Sequence, residues 1–336
     1  MEQSYEGLLI IPEEALGNTM KDEVEPFIKK FLTYGAITSE GHRIFYEYYD
    51  IPDEKGSVVV LHGFSEFIEK YNEVIWYFLS EGYDVYLIEH FGHGFSERDN
   101  TNMSKVDVKD FQTYVSDVNS FIEEIVLPLS DDTKPLFLFA HSMGGGIGVR
   151  YLETYPGVFD AAVLSAPMLG VNMGAIPQPI ATFFASSAKL FGQGDEYVFG
   201  HYDWDGVEDY ENSSAKSYER YRYAFSKREE MKYWQTYGAT WNWLSAAIKA
   251  TKLMAKEADK ITIPLIIFQA EDDTLVRNDK QIKFASKVPT STLIKVPSSK
   301  HEIFNSSNDV VKPYWSTIFT FFDDVSETLA RRKQEG

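Results

Sequence analysis

Ser142 stands in Ala140-His141-Ser142-Met143-Gly144-Gly145-Gly146, directly after the apolar run Leu136–Phe139. A strand that turns sharply into a helix at a serine, with small residues two before and two after it, is the setting of a nucleophile elbow. The turn forces strained backbone angles on the serine, lifts its hydroxyl above a sheet and aims the N–H groups of the next helix at it. A serine hydroxyl needs a base, and the base needs an orienting carboxylate. Later strands supply both. Glu271-Asp272-Asp273 follows Leu265–Phe268, and His301 follows Thr292–Val296 within Lys300-His301-Glu302. Of the seven histidines only His301 lies past the final strand. Asp273, just ahead of the apolar anchor Leu275-Val276, is favoured as the acid, with Asp272 and then Glu271 as alternatives that otherwise solvate the loop.

Acyl transfer builds negative charge on a carbonyl oxygen, so two fixed N–H donors are required. One is expected from Met143, just after the nucleophile. The other is expected from Phe64 in His62-Gly63-Phe64, after the run Val58–Leu61, where Gly63 permits close approach to a substrate. The His62 side chain reads as a structural hydrogen-bonder. Glu89, His90 and His93 could suggest a metal, but they lie in a glycine-rich turn without helical ligand spacing. They read as a brace beneath the site, and no metal or cofactor is expected.

These residues need a scaffold that brings them to one edge. Short apolar runs at 57–61, 85–88, 135–139, 161–164, 265–268 and 292–296 suit a parallel sheet buried on both faces. Helical patterns at 71–80, 106–126, 144–155, 243–257 and 311–332 alternate with them, which predicts an α/β doubly wound sheet with right-handed crossovers. Gly35–Thr38 and Arg43–Tyr49, around Glu40-Gly41-His42, read as a leading hairpin. The alternation breaks between Ala166 and Ile263. That interval opens with an apolar stretch from Met168 to Phe191. It then crowds together fourteen aromatics between Tyr197 and Trp243, most of which are expected to form the core of a helical subdomain that also caps the strand ends.

Composition narrows the partners. The 336 residues hold 51 acidic and 32 basic side chains, a net charge of −19, which disfavours nucleic acid and allows at most transient membrane-surface contact. There is no cysteine, so disulfides, thiolate metal sites and cysteine nucleophiles are absent. Met1–Glu25 has neither a basic start nor an apolar run, and Pro167–Ala188 is interrupted by prolines and polar residues. A soluble, cytoplasmic protein is expected.

Together, His62-Gly63-Phe64, Gly92-His93-Gly94-Phe95-Ser96, Ala140–Gly145, Asp273–Val276 and Lys300-His301-Glu302 resemble the α/β-hydrolase superfamily, in particular its lysophospholipase and monoacylglycerol lipase branch. Gly238–Leu244 is similar to the post-cap segment of that branch. The chain departs from the pattern at Ala140, Glu89 and Phe91. The resemblance implies the α/β-hydrolase fold, a mostly parallel eight-stranded doubly wound sheet with a helical cap insertion. It divides the chain into an N-terminal extension (1–35), a core (36–167 and 244–336) and a cap (168–243). It implies a cofactor-free ester hydrolase working through Ser142, His301, Asp273 and an acyl-enzyme on a small lipid-like ester. Gly63, Met168 and Trp243 are expected to contact the substrate. Rivals are a proline-type aminopeptidase, whose cap acids Asp195, Glu196, Asp203, Asp205, Glu208, Asp209 and Glu211 would meet an ammonium, and a non-catalytic binding protein on the same scaffold.

Overall fold

A computed structural model describes residues 7–174 and 176–335, so the acidic N-terminal residues 1–6 read above lie outside the described residues. Eight strands form the main sheet: β1 (Leu32–Ser39), β2 (His42–Tyr49), β3 (Gly56–Leu61), β4 (Tyr83–Ile88), β6 (Leu136–His141), β7 (Ala161–Ser165), β9 (Leu265–Ala270) and β10 (Ser291–Val296). Their order is β1-β2-β4-β3-β6-β7-β9-β10. β1 and β2 pair antiparallel, as do β2 and β4, and every other pairing in the sheet is parallel. The hairpin closes at Ser39 opposite His42, with Glu40 and Gly41 both at positive φ, the geometry a two-residue primed turn needs. The resemblance to the α/β-hydrolase fold is realised.

Strand alternation decides both faces. Val59, Leu61, Leu138, Ala140, Leu164 and Ile267 enter one apolar cluster, and Val58, Val60, Phe137, Phe139, Val163 and Ile266 enter the other. Each face is then covered by helices, which is why these strands read as uninterrupted apolar runs. Helices Ser142–Thr154 and Trp241–Glu257 cover the first face, Asn72–Ser80 and Asn308–Glu335 the second. The N-terminal segment reaches the second face through Leu16, Met20, Val24 and Ile28, all buried at four-residue spacing along helical turns.

Two expectations are corrected. The pattern from Val106 does not begin a helix. Lys105–Val106 is a short strand, β5, paired in parallel with β8 (Gly238–Ala239), and the helix starts at Gln112, whose N–H bonds the Asp110 carboxylate at 3.0 Å. Nor are the aromatics between β7 and β9 mainly a core. Of the fourteen, only Trp234, Trp241 and Trp243 are buried. The reason is that the two helices there, Gln178–Leu190 and Tyr218–Glu230, are separated by a long stretch without regular structure and pack apart, the first on helix Trp241–Glu257 and the second on the turn Ile68–Tyr71, without enclosing a second core. Position 243/244 falls inside the helix Trp241–Glu257, which is capped by the Thr240 side chain.

Candidate active site

β3 and β6 are neighbours, yet the chain leaves β3 toward β4 and leaves β6 toward β7, on opposite sides. Such a reversal opens a crevice at the carboxyl ends of the strands. Both the His62–Phe64 loop and Ser142 lie there. Ser142 takes φ +52°, the left-handed region that costs a non-glycine residue energy. Glycine is obligatory two residues on: a Cβ at Gly144 would stand 2.2 Å from the Leu61 carbonyl oxygen. The turn therefore packs directly under the end of β3.

His301 Nε2 lies 2.7 Å from Ser142 Oγ, and His301 Nδ1 lies 2.7 Å from Asp273 Oδ2. Burial would raise the Asp273 carboxyl, but the hydrogen bond and charge attraction of His301, with the N–H groups of Val276 and Leu275, hold it below its ordinary value. Its second oxygen accepts those N–H groups at 3.0 and 2.9 Å. An ionised Asp273 keeps the imidazole proton on Nδ1 and leaves Nε2 to accept from the serine. The adjacent acids are engaged elsewhere, not merely solvating the loop. Asp272 pairs with Lys216 at 2.9 Å, and Glu271 accepts from Ser298 N–H at 2.8 Å.

The two expected donors are free of protein acceptors among the described residues. Gly63 N–H is taken by Glu66 at 2.5 Å and Ser65 N–H by His93 at 3.1 Å, while Phe64 N–H, between them, has no acceptor among the described residues. Met143 N–H lies in the first turn of its helix, where no intrahelical acceptor exists. His62 is structural, as read: its Nδ1 lies 2.8 Å from Gly63 O and its Nε2 accepts from His90 N–H at 3.1 Å. Glu89 holds Phe95 N–H, and Ser96 Oγ donates to the Glu89 carbonyl at 2.5 Å, so this turn braces the floor. Phe91 packs on His42.

A buried network behind the site escaped sequence reasoning. Glu66 accepts from Gly63 N–H, from Tyr71 OH at 2.5 Å and from Lys70 Nζ at 2.6 Å. Lys70 also donates to Glu302 at 2.7 Å, next to His301 in sequence. Burial would raise the Glu66 carboxyl, but Lys70 and His141 hold it well below the usual range. Burial lowers His141 to about 4, which keeps it neutral beside the His301 ring, 4.9 Å away between centroids. One charged chain thus ties the Phe64 loop to the His301 loop. The i, i+4 spacing of Glu66 and Lys70 was visible; their inward direction was not.

Of the residues expected to meet the substrate, Met168 contacts Ser142 itself and Trp243 contacts its neighbour Met143. Met168 N–H donates to the Ser142 carbonyl at 2.8 Å. Trp243 Nε1 donates to Met143 Sδ at 3.4 Å, and its ring lies 4.5 Å from that of Phe64. Gly63 packs against Glu66, where a Cβ would come within 2.7 Å of its carboxylate. The cap acids serve local partners: Glu196 pairs with Lys105, Asp203 accepts from Asn102, and Glu208 pairs with Arg222. Among the described residues no group of histidines and carboxylates has a metal-holding arrangement, and no helix is long and apolar enough to cross a membrane.

The family described as serine aminopeptidase, S33 (Hydrolase_4) matches residues 52–308. The chain is 28% identical over 293 residues to a probable lysophospholipase L2 of Haemophilus influenzae, covering 86% of this chain and 91% of that one. It is 32% identical over 154 residues to a monoacylglycerol lipase of Mycolicibacterium smegmatis, covering 46% of this chain and 51% of the relative. A soluble variant of a Saccharomyces cerevisiae monoglyceride lipase, solved with a substrate analog, shares the fold with a TM-score of 0.70 at 19% identity, over 87% of this chain and 95% of that one.

Proposed function

The chain belongs to the serine aminopeptidase S33 (Hydrolase_4) family, and from that premise we propose that it hydrolyses carboxylic esters of single-chain lipids, lysophospholipids or monoacylglycerols, through an acyl-enzyme on Ser142. His301 Nε2 takes the hydroxyl proton as Ser142 Oγ attacks the ester carbonyl. Phe64 and Met143 N–H groups receive the oxyanion, each worth about 3 kcal/mol of transition-state stabilisation. Asp273 holds the imidazolium. The intermediate collapses, and His301 returns the proton to the departing glycerol or glycerophospho oxygen. Water enters, His301 takes its proton as the water oxygen bonds to the acyl carbon, and the acyl–Ser142 bond then breaks as His301 returns that proton to Ser142 Oγ and the fatty acid leaves.

The single observation that supports this most is the continuous chain Ser142 Oγ, His301, Asp273, at 2.7 Å and 2.7 Å. The lipid class is supported by the relatives and by the outward apolar face of helix Gln178–Leu190, where Ile180, Phe183, Phe184 and Leu190 are exposed. An aminopeptidase reading finds less support, because Glu196, Asp203 and Glu208 are exposed and engaged locally. A panel of monoacylglycerols, lysophospholipids, short p-nitrophenyl esters and aminoacyl naphthylamides tests the reading. Turnover of the single-chain lipid esters, abolished in Ser142→Ala, is expected. Turnover of the naphthylamides alone would replace the reading with peptide hydrolysis.

A further inference from the structure

A groove runs between helix Trp241–Glu257, helix Asn278–Ala285 and the segment 169–173, beside the loop that carries Asp273. The neighbours are physically joined: Arg277 N–H donates to Gly170 O at 2.9 Å, and Val171 bridges Val276. The groove is lined by the half-buried apolar residues Val171, Met173 and Ala255, supported by the fully buried Leu169, Met254 and Phe284. Its rim is cationic.

Lys252, Arg277, Lys280, Lys283 and Lys287 all line the groove, and no acidic residue does. In a chain where acids outnumber bases 51 to 32, a surface of this kind is not what chance placement produces. Neutralisation within the chain is partial. Arg277 is held by Asp279 at 2.6 and 2.9 Å, and Lys287 donates to the Ala255 carbonyl. Lys252, Lys280 and Lys283 make no ion pair within 4 Å among the described residues, although Lys280 is close enough to draw down the Asp279 carboxyl alongside Arg277. The Lys280 stem lies on the backbone, since a Cβ at Gly170 would stand 2.7 Å from its Cγ. Charge from two helices therefore converges over one apolar strip.

We propose that this groove binds a long-chain fatty acid, its carboxylate among Lys252, Lys280 and Lys283 and its first methylenes along Val171, Met173 and Ala255. Charge complementarity selects an anion, and the apolar floor selects one carrying a chain, because each methylene removed from water multiplies affinity by about fourfold. A strongly acidic molecule repels free anions at long range, so a small anion without a chain gains too little to stay. The identity of the acid as a reaction product rests on the proposed hydrolysis; the groove's charge and floor do not. Occupancy would bear on the cap, whose Gln178 also lines the groove.

Titration calorimetry of the Ser142→Ala protein with laurate below its micelle concentration tests this, and it stays readable even if the protein hydrolyses no ester. One laurate site is expected, weakened at least tenfold in Lys252→Glu/Lys283→Glu, and at least tenfold weaker for dodecyltrimethylammonium on the unreversed protein. Both lysines are exposed and lie on different helices, and the milder Lys252→Gln/Lys283→Gln pair guards against a folding defect. Laurate binding indifferent to the reversal, equal binding of the cationic amphiphile, binding of dodecyl phosphate or inorganic phosphate without laurate, or binding to anionic vesicles only would each overturn the proposal.

Discussion

Ser142 is held at a positive φ that only its packing under β3 sustains, and the chemistry follows from where that turn puts one oxygen. Removing Ser142 or His301 as alanine should lower kcat by ten-thousandfold to a millionfold while far-UV circular dichroism stays unchanged. Asp273→Asn should cost roughly ten-thousandfold, because the amide favours the wrong imidazole tautomer. Asp272→Asn should cost almost nothing, since Asp272 faces Lys216. A reversed ranking of the two asparagine variants would move the acid by one position. Glu66 acts through other residues: Glu66→Gln should lower kcat by roughly tenfold to a hundredfold with KM little changed, as the Phe64 loop loses its anchor. Unchanged kcat in a folded Glu66→Gln protein would reduce the network to packing. The proposed nucleophile, base and acid were legible because each follows an apolar strand at a fixed offset. Glu66, Lys70 and Tyr71 were not, because nothing in a sequence says which face of the short 3-10 turn Ile68–Tyr71, or of the loop before it that carries Glu66, points inward.

Elements position these residues through a few buried staples, of which Arg220 is the plainest. It lies on helix Tyr218–Glu230, is 1% exposed, and donates to Glu73 through Nε and Nη2, to Ser306 O and to Asn308. That one side chain joins helix Tyr218–Glu230 to helices on the second face. Arg220→Ala strands the buried Glu73 carboxylate and should destabilise the protein by about 3–5 kcal/mol, read as a lowered urea midpoint. Adding Glu73→Gln should recover part of the loss; no recovery would assign the effect to packing alone. Strands and crossovers could be read from sequence because burial on both faces leaves an apolar signature. The segment between β7 and β9 could not, since its aromatics lie half exposed against one another, as Tyr210 does against Tyr218 and Tyr221. Aromatic crowding signals a core only where something covers it.

Across the whole molecule, buried carboxyls pull stability in two directions with pH. Asp273, Glu66 and Glu302 are held below their ordinary values, so the stability they contribute is present near neutrality and lost as pH falls through those depressed values. Burial pushes Glu47 up to about 7 and Glu89 and Glu153 up to about 8. At these three groups the folded state binds more protons than the unfolded one between the ordinary carboxylate range and about pH 8, and the stability they contribute falls as pH rises through that window. Self-repulsion at a net charge of −19 adds to the fall. Burial holds His62, His90, His93 and His141 below the ordinary imidazole value, so these four add stability as pH rises toward about 6.5. The urea midpoint should peak near about pH 6–7 and decline by about pH 8.5, and Glu89→Gln should flatten the decline; a midpoint still rising at about pH 8.5 would contradict this balance. No such balance could be read from composition, because it depends on which acids the fold buries. The central claim, that this sheet edge makes Ser142 a nucleophile, is tested most directly by fluorophosphonate labelling of the folded protein followed by peptide mapping. A single adduct on Ser142, lost in His301→Ala, is the predicted result, and a folded protein left unlabelled or labelled at another residue would contradict the account.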